Sequence, residues 1–332
     1  MIHAKRRQFL IAASTLLAAP LARAAQPSNK IYRVGAIFPF GTSSGSGQQY
    51  LAAFRETLAA RGFIEGKNLK IDTRVAITRY LARFSAVDLL KLKPDAIFTL
   101  TTVATLGAQD ATKSVPIVFA WVADPKVSGI VKDYARPGGN TTGVSNHYFA
   151  LTIKRVELVR ELVPDAKRVV VLSIGFDSML LTAMRLAEPA AERLGLELER
   201  KSVSMGSWEH AVRDVAASGA DAAIVQLPFS AFGMSMQAQE TVNDAMRQRI
   251  PVIYSDSESV ELGGLISYAT NPTEDVRRGA TYLARVLGGE RPGGLPVDQA
   301  TRFELVVNLK TAKAKGITFP PSIVLRADRV IE

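Results

Sequence analysis

Cysteine is absent from all 332 residues of the sequence. Its absence excludes disulfide bonds, thiolate metal sites and thiol catalysis, and also the lipid-bearing cysteine that anchors many exported proteins. Histidine is scarce as well. Beyond the N-terminal segment only His147 and His210 remain, and they are too far apart for the closely spaced ligands of a zinc site. We therefore expect neither a metal nor a cofactor in this protein.

Long apolar runs and clustered cations are also missing. After the first 24 residues no stretch offers 18 uninterrupted apolar residues, so we expect no membrane insertion of the mature chain. No block of five or six lysines or arginines occurs, which argues against nucleic-acid binding. The chain also lacks the Gly-x-x-x-x-Gly-Lys-Ser/Thr loop that binds nucleotide phosphates, so any energy source must come from a partner.

The N-terminal segment has the features of an export signal. Lys5-Arg6-Arg7 precedes a moderately apolar run at 11–17, and the small-residue cleavage site Ala22-Arg23-Ala24 follows. The paired arginines followed by Phe9-Leu10 match the twin-arginine pattern, although that pattern usually has serine or threonine where this chain has Lys5. Ordinary secretion stays the alternative. Cleavage near Ala24 removes four cationic and no acidic residues, which lowers the net charge from +10 to +6.

Two α/β domains are expected after the signal segment, because the remaining chain exceeds one comfortable core. Short β-branched runs alternate with amphipathic stretches, a pattern typical of parallel sheets flanked by helices. We predict an N-terminal lobe at 25–145, a C-terminal lobe at 146–270 and a tail at 271–332 that crosses between them. The Pro- and Gly-containing segment 136–144 is predicted to break regular structure beside the lobe boundary.

The predicted elements follow one another regularly along the chain. Strands are expected at 32–38, 69–75, 96–100, 117–121, 168–173, 196–203, 222–227, 252–255, 264–269 and 303–307. Helices are expected at 48–61, 80–92, 104–112, 153–162, 180–194, 209–217, 236–249 and 274–287, and the segment 309–315 follows the last strand. Ligands of open α/β sheets bind at the carboxyl ends of the strands. The residues that follow strands are therefore the candidates for binding.

Polar candidates follow several strands. Thr101 and Thr102 open a helix, whose N-terminus suits a ligand carboxylate; a plain threonine N-cap is the alternative. Asp124 is a candidate partner for an amino group, although Asp-Pro by itself often only starts a turn. Asp256, Ser257 and Glu258 follow the strand that ends at Ser255, and one of the three is expected to contact ligand.

Other candidates are apolar or lie in the second lobe. Phe176-Asp177-Ser178 occupies the position that matches Thr101 and Thr102, and offers an aromatic cover, a carboxylate for an ammonium group and a hydroxyl for an anion. Phe40 and Trp121 either stack on a flat ligand or belong to the core. Pro228 either walls the pocket or only ends a strand.

A hydrolase is the competing interpretation, because Gly41-Thr42-Ser43-Ser44-Gly45 matches the Gly-x-Ser-x-Gly nucleophile elbow. This match follows the first strand of the mature chain, so nothing upstream supplies the usual oxyanion loop. Only His147 and His210 are available as bases. A flexible binding loop explains the glycines and serines with fewer assumptions. We expect no catalytic residues and no enzyme activity.

Seven ordered segments resemble one known family. They are FIEGKNL (63–69), VPIVF (115–119), ADP (123–125), ARPGGNTTGVS (135–145), KRVEL (154–158), GGLISY (263–268) and FELVVNLKTAK (303–313). Together they resemble the ABC-transporter substrate-binding proteins that include tryptophan and tyrosine uptake proteins. The resemblance implies a type I periplasmic-binding-protein fold, with two Rossmann-like lobes joined by a three-crossing hinge. It also implies an ABC permease and its ATPase subunit as partners.

The chain departs from that family at two candidate loops. After the strand at 168–173 such proteins usually carry an Asn-Pro-containing ligand loop, which this chain lacks at 174–178, and the loop at 39–45 is also individual. We predict a monomeric periplasmic protein that captures an amino acid or related carboxylate, aromatic ligands included. A periplasmic sensor subunit for a membrane receptor stays open as the alternative, because the same pocket would serve it.

Overall fold

The computed structural model describes residues 30–41, 45–175, 178–204, 206–229 and 234–332, without the side chain of Ser178. Tyr32–Glu332 forms one structural unit. The predicted export signal, Thr42 to Ser44 and the pair Phe176-Asp177 lie outside the described residues. The predictions made for those segments therefore stay predictions.

One parallel sheet is built mainly from the first half of the chain. Within the described residues its six strands lie in the order β2-β1-β3-β4-β5-β11. The strands are β1 (Tyr32–Phe38), β2 (Leu69–Val75), β3 (Ala96–Leu100), β4 (Ile117–Val122), β5 (Thr141–Ser145) and β11 (Asp298–Gln299). The helices that accompany it are α1 (Gly45–Ala60), α2 (Arg79–Lys91), α3 (Thr102–Ala111) and α9 (Pro272–Leu287).

The second sheet contains the remaining described strands, in the order β13-β12-β10-β9-β8-β6-β7. They are β6 (Arg168–Ile174), β7 (Glu197–Val203), β8 (Ala222–Val225), β9 (Val252–Tyr254), β10 (Ile266–Ala269), β12 (Glu304–Asn308) and β13 (Arg329–Ile331). Strand β12 runs antiparallel to β10, and the other pairs are parallel. The accompanying helices are α4 (Tyr148–Leu162), α5 (Ser178–Arg193), α6 (Ala211–Ala217), α7 (Ser235–Arg247), α8 (Ser257–Glu261), α10 (Leu309–Lys315) and α11 (Pro321–Arg326).

Both lobes share one strand order, in which the first strand lies between the second and the third. The described chain passes between the two sheets three times, at 145–148, 269–272 and 299–304. The predicted tail is divided accordingly: α9 and β11 join the first lobe, and the elements from β12 onward join the second. This arrangement confirms two Rossmann-like lobes linked by three crossings.

One segment was predicted wrongly. The break expected over 136–144 ends at Asn140, because Thr141–Ser145 forms the buried strand β5 between β4 and β11. Gly143 misled the prediction. Strand β5 has glycine at this position because the backbone of β4 approaches it closely. A Cβ at Gly143 would come closer than 3.0 Å to the backbone carbonyl of Phe119, so the position requires glycine. The other predicted helices and strands are present with ends that differ by a few residues, and α4 begins earlier, at Tyr148.

Apolar side chains form a core on each sheet. In the first lobe Phe38, Phe54 and Phe98 are fully buried, and the rings of Phe54 and Phe98 lie 4.5 Å apart. In the second lobe Trp208 packs edge-on against Phe229 with centroids 4.9 Å apart. These cores hold the strand ends in fixed positions. No helix among the described residues is long and apolar enough to cross a membrane.

Candidate functional site

A cavity of about 690 Å³, partly open to solvent, lies between the two lobes. The first lobe contributes Pro39, Thr101, Thr102, Val103, Trp121 and Ala123. The second lobe contributes Tyr148, Ile174, Met179, Gln226, Leu227 and Pro228. Part of this volume is open solvent.

The strand order explains why the cavity forms here. In each sheet the second strand is added on one side of the first strand and the third strand on its other side. This change of side leaves a crevice at the carboxyl ends of the first and third strands. Pro39 follows β1 and Thr101 follows β3, while Ile174 ends β6 and Gln226 follows β8. The crevices of both lobes therefore open into the same space.

Backbone strain is concentrated at the edge of the cavity. Thr101, Trp121 and His147 have φ values of 100°, 54° and 56°, and among the described non-glycine residues only Lys93 shares a positive φ. Trp121 lies where the pairing of β4 with β5 shifts register, between Phe119 and Val122. Such a bulge redirects a side chain, and strained residues cluster at functional sites.

The N-terminus of α3 forms part of the wall. Thr101 caps this helix by accepting a hydrogen bond from the backbone N–H of Ala104 (3.4 Å). The hydroxyl of Thr102 accepts one from the N–H of Ala123 at 3.0 Å, which ties the helix to the end of β4. Thr102 and Val103 line the cavity, so the positive end of the helix dipole lies at its surface and favours an anionic group.

Gln226 is a polar wall residue that the sequence analysis missed. Its side chain is fully buried and joins a chain of hydrogen bonds. Arg155 donates from Nη1 to Gln226 Oε1 (3.0 Å), Gln226 donates from Nε2 to Thr152 Oγ1 (2.8 Å), and Thr152 donates to the carbonyl of Tyr148 (2.9 Å). A glutamine directly after the apolar run Ala222–Val225 was the available signal, because a polar residue at a strand end borders the crevice.

Arg155 lies behind that wall and is almost completely buried. Its Nε also donates to the carbonyl of Tyr268 (2.9 Å). Burial lowers the pKa of its guanidinium from 12.5 to about 10, so the group still carries its charge at neutral pH. No carboxylate of the described residues forms an ion pair with it, although Asp256 acts on it from farther away. A cation is thus held behind Gln226 with neutral hydrogen-bond partners.

Of the residues chosen from the sequence, Thr101, Thr102, Trp121 and Pro228 line the cavity. Phe40 does not, since its ring packs inside the first lobe at 5.5 Å from Tyr50. Its neighbour Pro39 takes the wall position instead.

The acidic candidates are not among the cavity-lining residues. Asp124 and Asp256 bind backbone N–H groups, and Glu258 binds a side-chain hydroxyl. Asp124 accepts hydrogen bonds from the N–H groups of the next turn, at 2.9 to 3.0 Å. Asp256 caps α8 by accepting from Ser259 at 2.8 Å, and burial raises its pKa to about 6. Glu258 accepts from the hydroxyl of Ser235 at 3.0 Å. Sequence spacing could not separate these capping roles from ligand contact, because both favour carboxylates after a strand.

Some of the predicted site residues lie outside the residues that the structure describes. Phe176 and Asp177 lie outside the described residues, and Ser178 begins α5 with its side chain undescribed. Ser43, the nucleophile of the hydrolase interpretation, is also outside them. Among the residues that are described, no group of three or more His, Asp or Glu side chains could hold a metal ion.

Comparison with known proteins adds independent information. Residues 43–331 match a family model described as ABC transporter substrate binding protein. The tyrosine-binding protein of Clostridioides difficile strain R20291 is 27% identical over 266 residues, which cover 79% of this chain and 74% of that protein. The family resemblance inferred from the seven sequence segments is confirmed.

Two solved structures share the architecture. A conserved domain protein from Vibrio cholerae has a TM-score of 0.79 at 25% identity and covers 91% of this chain and 100% of its own. An ABC domain from Streptococcus pneumonia in complex with L-Trp has a TM-score of 0.78 at 27% identity, with coverages of 90% and 99%. The type I periplasmic-binding-protein fold is confirmed for this chain.

Proposed function

This chain belongs to the ABC transporter substrate-binding protein family, and on that premise we propose that its cleft binds an aromatic amino acid or a closely related small carboxylate. The family consists of solute-binding proteins, so the expected activity is capture and not catalysis. The observation that carries the ligand class is the composition of the cavity wall. Trp121 and the apolar side chains of Val103, Leu227 and Pro228 surround the polar positions Thr101, Thr102 and Gln226.

The wall chemistry supports each part of such a ligand. An aromatic ring gains free energy from burial against apolar and aromatic side chains. A carboxylate is favoured at the N-terminus of α3, where Thr102 and Val103 begin the helix. The relatives point the same way, since one is a tyrosine-binding protein and another was solved in complex with L-Trp.

Ligand capture would proceed by closure of the lobes. The wall is divided between both lobes, so a ligand makes its full set of contacts only when they are together, and it shifts an open–closed equilibrium toward closure. A permease with its ATPase would then receive the ligand from the closed form. The signal-like segment with Lys5-Arg6-Arg7 and Ala22-Arg23-Ala24 supports a periplasmic location.

A ligand screen tests this proposal directly. We expect L-tryptophan, L-tyrosine or L-phenylalanine, present at a hundred times its dissociation constant, to stabilise the purified mature protein by about 2.7 kcal/mol, or roughly 5 °C in melting temperature. Differential scanning fluorimetry measures the shift.

The same preparation distinguishes binding from catalysis. If no amino acid or aromatic acid raises the melting temperature, while ester hydrolysis appears and is lost on Ser43→Ala, the chain is a hydrolase and the proposal is wrong. A permease and ATPase encoded beside this chain would favour import, whereas a lone receptor gene would favour the sensor alternative.

The two tryptophans provide a test of the binding location. Trp121 lines the cavity, whereas Trp208 is fully buried in the core of the second lobe. We expect L-phenylalanine to change the tryptophan emission of the wild-type protein, because it alters the surroundings of Trp121. The change should disappear in Trp121→Phe and persist in Trp208→Phe, with binding itself followed by calorimetry. The opposite pattern would place the ligand outside this cavity.

A further inference from the structure

The hydrogen-bond chain through Gln226 has a fixed direction. Arginine can only donate, so the atom of Gln226 that faces Arg155 must be the oxygen. The carbonyl of Tyr148 can only accept, so the hydroxyl of Thr152 donates to it and is left to accept from Gln226. Rotating the amide by half a turn would put two donors together at Arg155. The orientation of the amide is therefore set at both ends.

This direction decides what Gln226 can offer to a ligand. Its Nε2 carries two hydrogens, and one of them is used by Thr152. Within the described residues the second hydrogen has no acceptor, and Gln226 belongs to the cavity wall. The available group is thus a donor, which suits a ligand oxygen and is unsuited to a ligand ammonium.

The charge behind the amide strengthens this preference. Arg155 is 2% exposed and bonds to the side-chain oxygen of Gln226 and the carbonyl of Tyr268. A buried cation ordinarily has a paired anion. Here neutral partners hold it, with Asp256 acting on it only from beyond ion-pair distance. The wall formed by Gln226 is therefore electropositive, and hydrogen bonds from such a polarised donor to an anion are stronger than those between neutral groups.

We propose that Gln226, oriented by Arg155, selects ligands that carry a carboxylate, by donating its second amide hydrogen to that group from the second lobe. This inference rests on the proposed function and assigns the anion-recognising residue. The N-terminus of α3 approaches the same cavity from the first lobe. A carboxylate held between Gln226 and the N-terminus of α3 would contact both lobes, so recognition of the anion would be coupled to closure of the lobes.

Arg155 is a positioning residue in this scheme. It reaches the carbonyl of Tyr268, one residue before the end of β10, where the chain crosses between the lobes. The same guanidinium therefore fixes the amide at the cavity wall and the strand that enters the second crossing. Neither interaction places Arg155 itself against the ligand.

The test compares each amino acid with its decarboxylated amine. Calorimetry measures the dissociation constants of L-tyrosine and tyramine, and of L-tryptophan and tryptamine, for the wild-type protein and for Gln226→Glu. The substituted carboxylate still accepts from Arg155, and the hydroxyl of Thr152 can turn to donate to it in place of the carbonyl of Tyr148, so the fold is expected to persist. Gln239→Glu is the matched control, because it makes the same change in charge on α7, outside the cavity wall.

We expect wild type and Gln239→Glu to prefer the amino acids strongly. In Gln226→Glu the affinity for the amino acid should fall about 30-fold or more, since a charge-assisted hydrogen bond is replaced by repulsion. The preference of Gln226→Glu for the amino acid over its decarboxylated amine should also become smaller. The ratio of the two dissociation constants is the decisive measurement, because a merely structural defect weakens both probes alike.

Three outcomes would overturn the inference, and they are distinguishable. If wild type binds the amino acids but Gln226→Glu keeps the same ratio of the two dissociation constants, Gln226 does not recognise the carboxylate, and the proposed function stands. If wild type binds L-tyrosine and tyramine equally, the cavity has no carboxylate preference at all. If none of the four probes binds wild type, the proposed function fails, and this inference with it.

Discussion

Replacement of Gly143 by alanine is expected to lower the free energy of unfolding by more than about 3 kcal/mol. Gly143 lies in β5 opposite Phe119, directly before the register shift that turns Trp121 toward the cavity. An added Cβ would lie within 3.0 Å of the carbonyl oxygen and carbon of Phe119. Backbone atoms in the middle of a sheet cannot move aside, so the strands must separate. Urea denaturation followed by circular dichroism measures the loss.

Gly294→Ala is the matched control for this prediction. A Cβ at Gly294 meets nothing within 4 Å, and its φ is not positive, so its effect should stay within about 0.5 kcal/mol. Equal unfolding midpoints for Gly143→Ala and Gly294→Ala would contradict the close approach of β4 and β5. Because the shift lies beside Trp121, any folded Gly143→Ala protein should also bind ligand more weakly.

Replacement of Asp275 by asparagine is expected to stabilise the protein at pH 8 by about 2 to 4 kcal/mol. Asp275 is 2% exposed in the first turn of α9, and its Oδ2 has no partner in the described residues. Burial raises its pKa from 3.8 to about 7. The folded state therefore binds this proton more tightly than the unfolded state. The resulting stability is complete below about pH 4 and is lost as the pH rises through 7.

The stability difference between Asp275→Asn and wild type should consequently be near zero at pH 4 and grow to its full value above pH 7. Asp221 provides a control of opposite sign. Hydrogen bonds from the backbone N–H groups of Lys167 and Arg168, at 2.7 and 2.8 Å, hold the pKa of its carboxyl below 3.8. Asp221→Asn should therefore destabilise the protein at neutral pH. A stabilisation by Asp275→Asn that is constant from pH 4 to 8 would refute the titration argument.

Local sequence patterns predicted the lobes well, because each strand and helix shows its own periodicity. The segment 69–75 was predicted as a strand and forms one with those bounds. Strand β5 was missed because its glycine is required by a neighbouring strand distant in sequence, and local patterns contain no information about such a contact. The short strand β11 was missed because two residues, Asp298 and Gln299, are too few to show alternation.

The candidate site was predictable only in part, for a similar reason. Four of the residues chosen at or after strand ends, Thr101, Thr102, Trp121 and Pro228, line the cavity. The side chain that follows a strand has two possible roles, however, and Asp124 and Asp256 use their carboxylates to cap turns and helices. Nothing in the local sequence distinguishes a carboxylate that caps backbone N–H groups from one that faces a ligand.

The sequence by itself determined the α/β class, the order of the elements and the seven family segments, since all of these depend on neighbouring residues. Only the tertiary structure decided which strand ends share one cavity, and that Gln226 forms part of its wall in front of the buried guanidinium of Arg155. These two residues are separated by 71 positions in the chain. Their contact exists only because helix α4 packs beside the strand that precedes Gln226, and packing of distant segments fixes both the direction of the amide and the charge behind it.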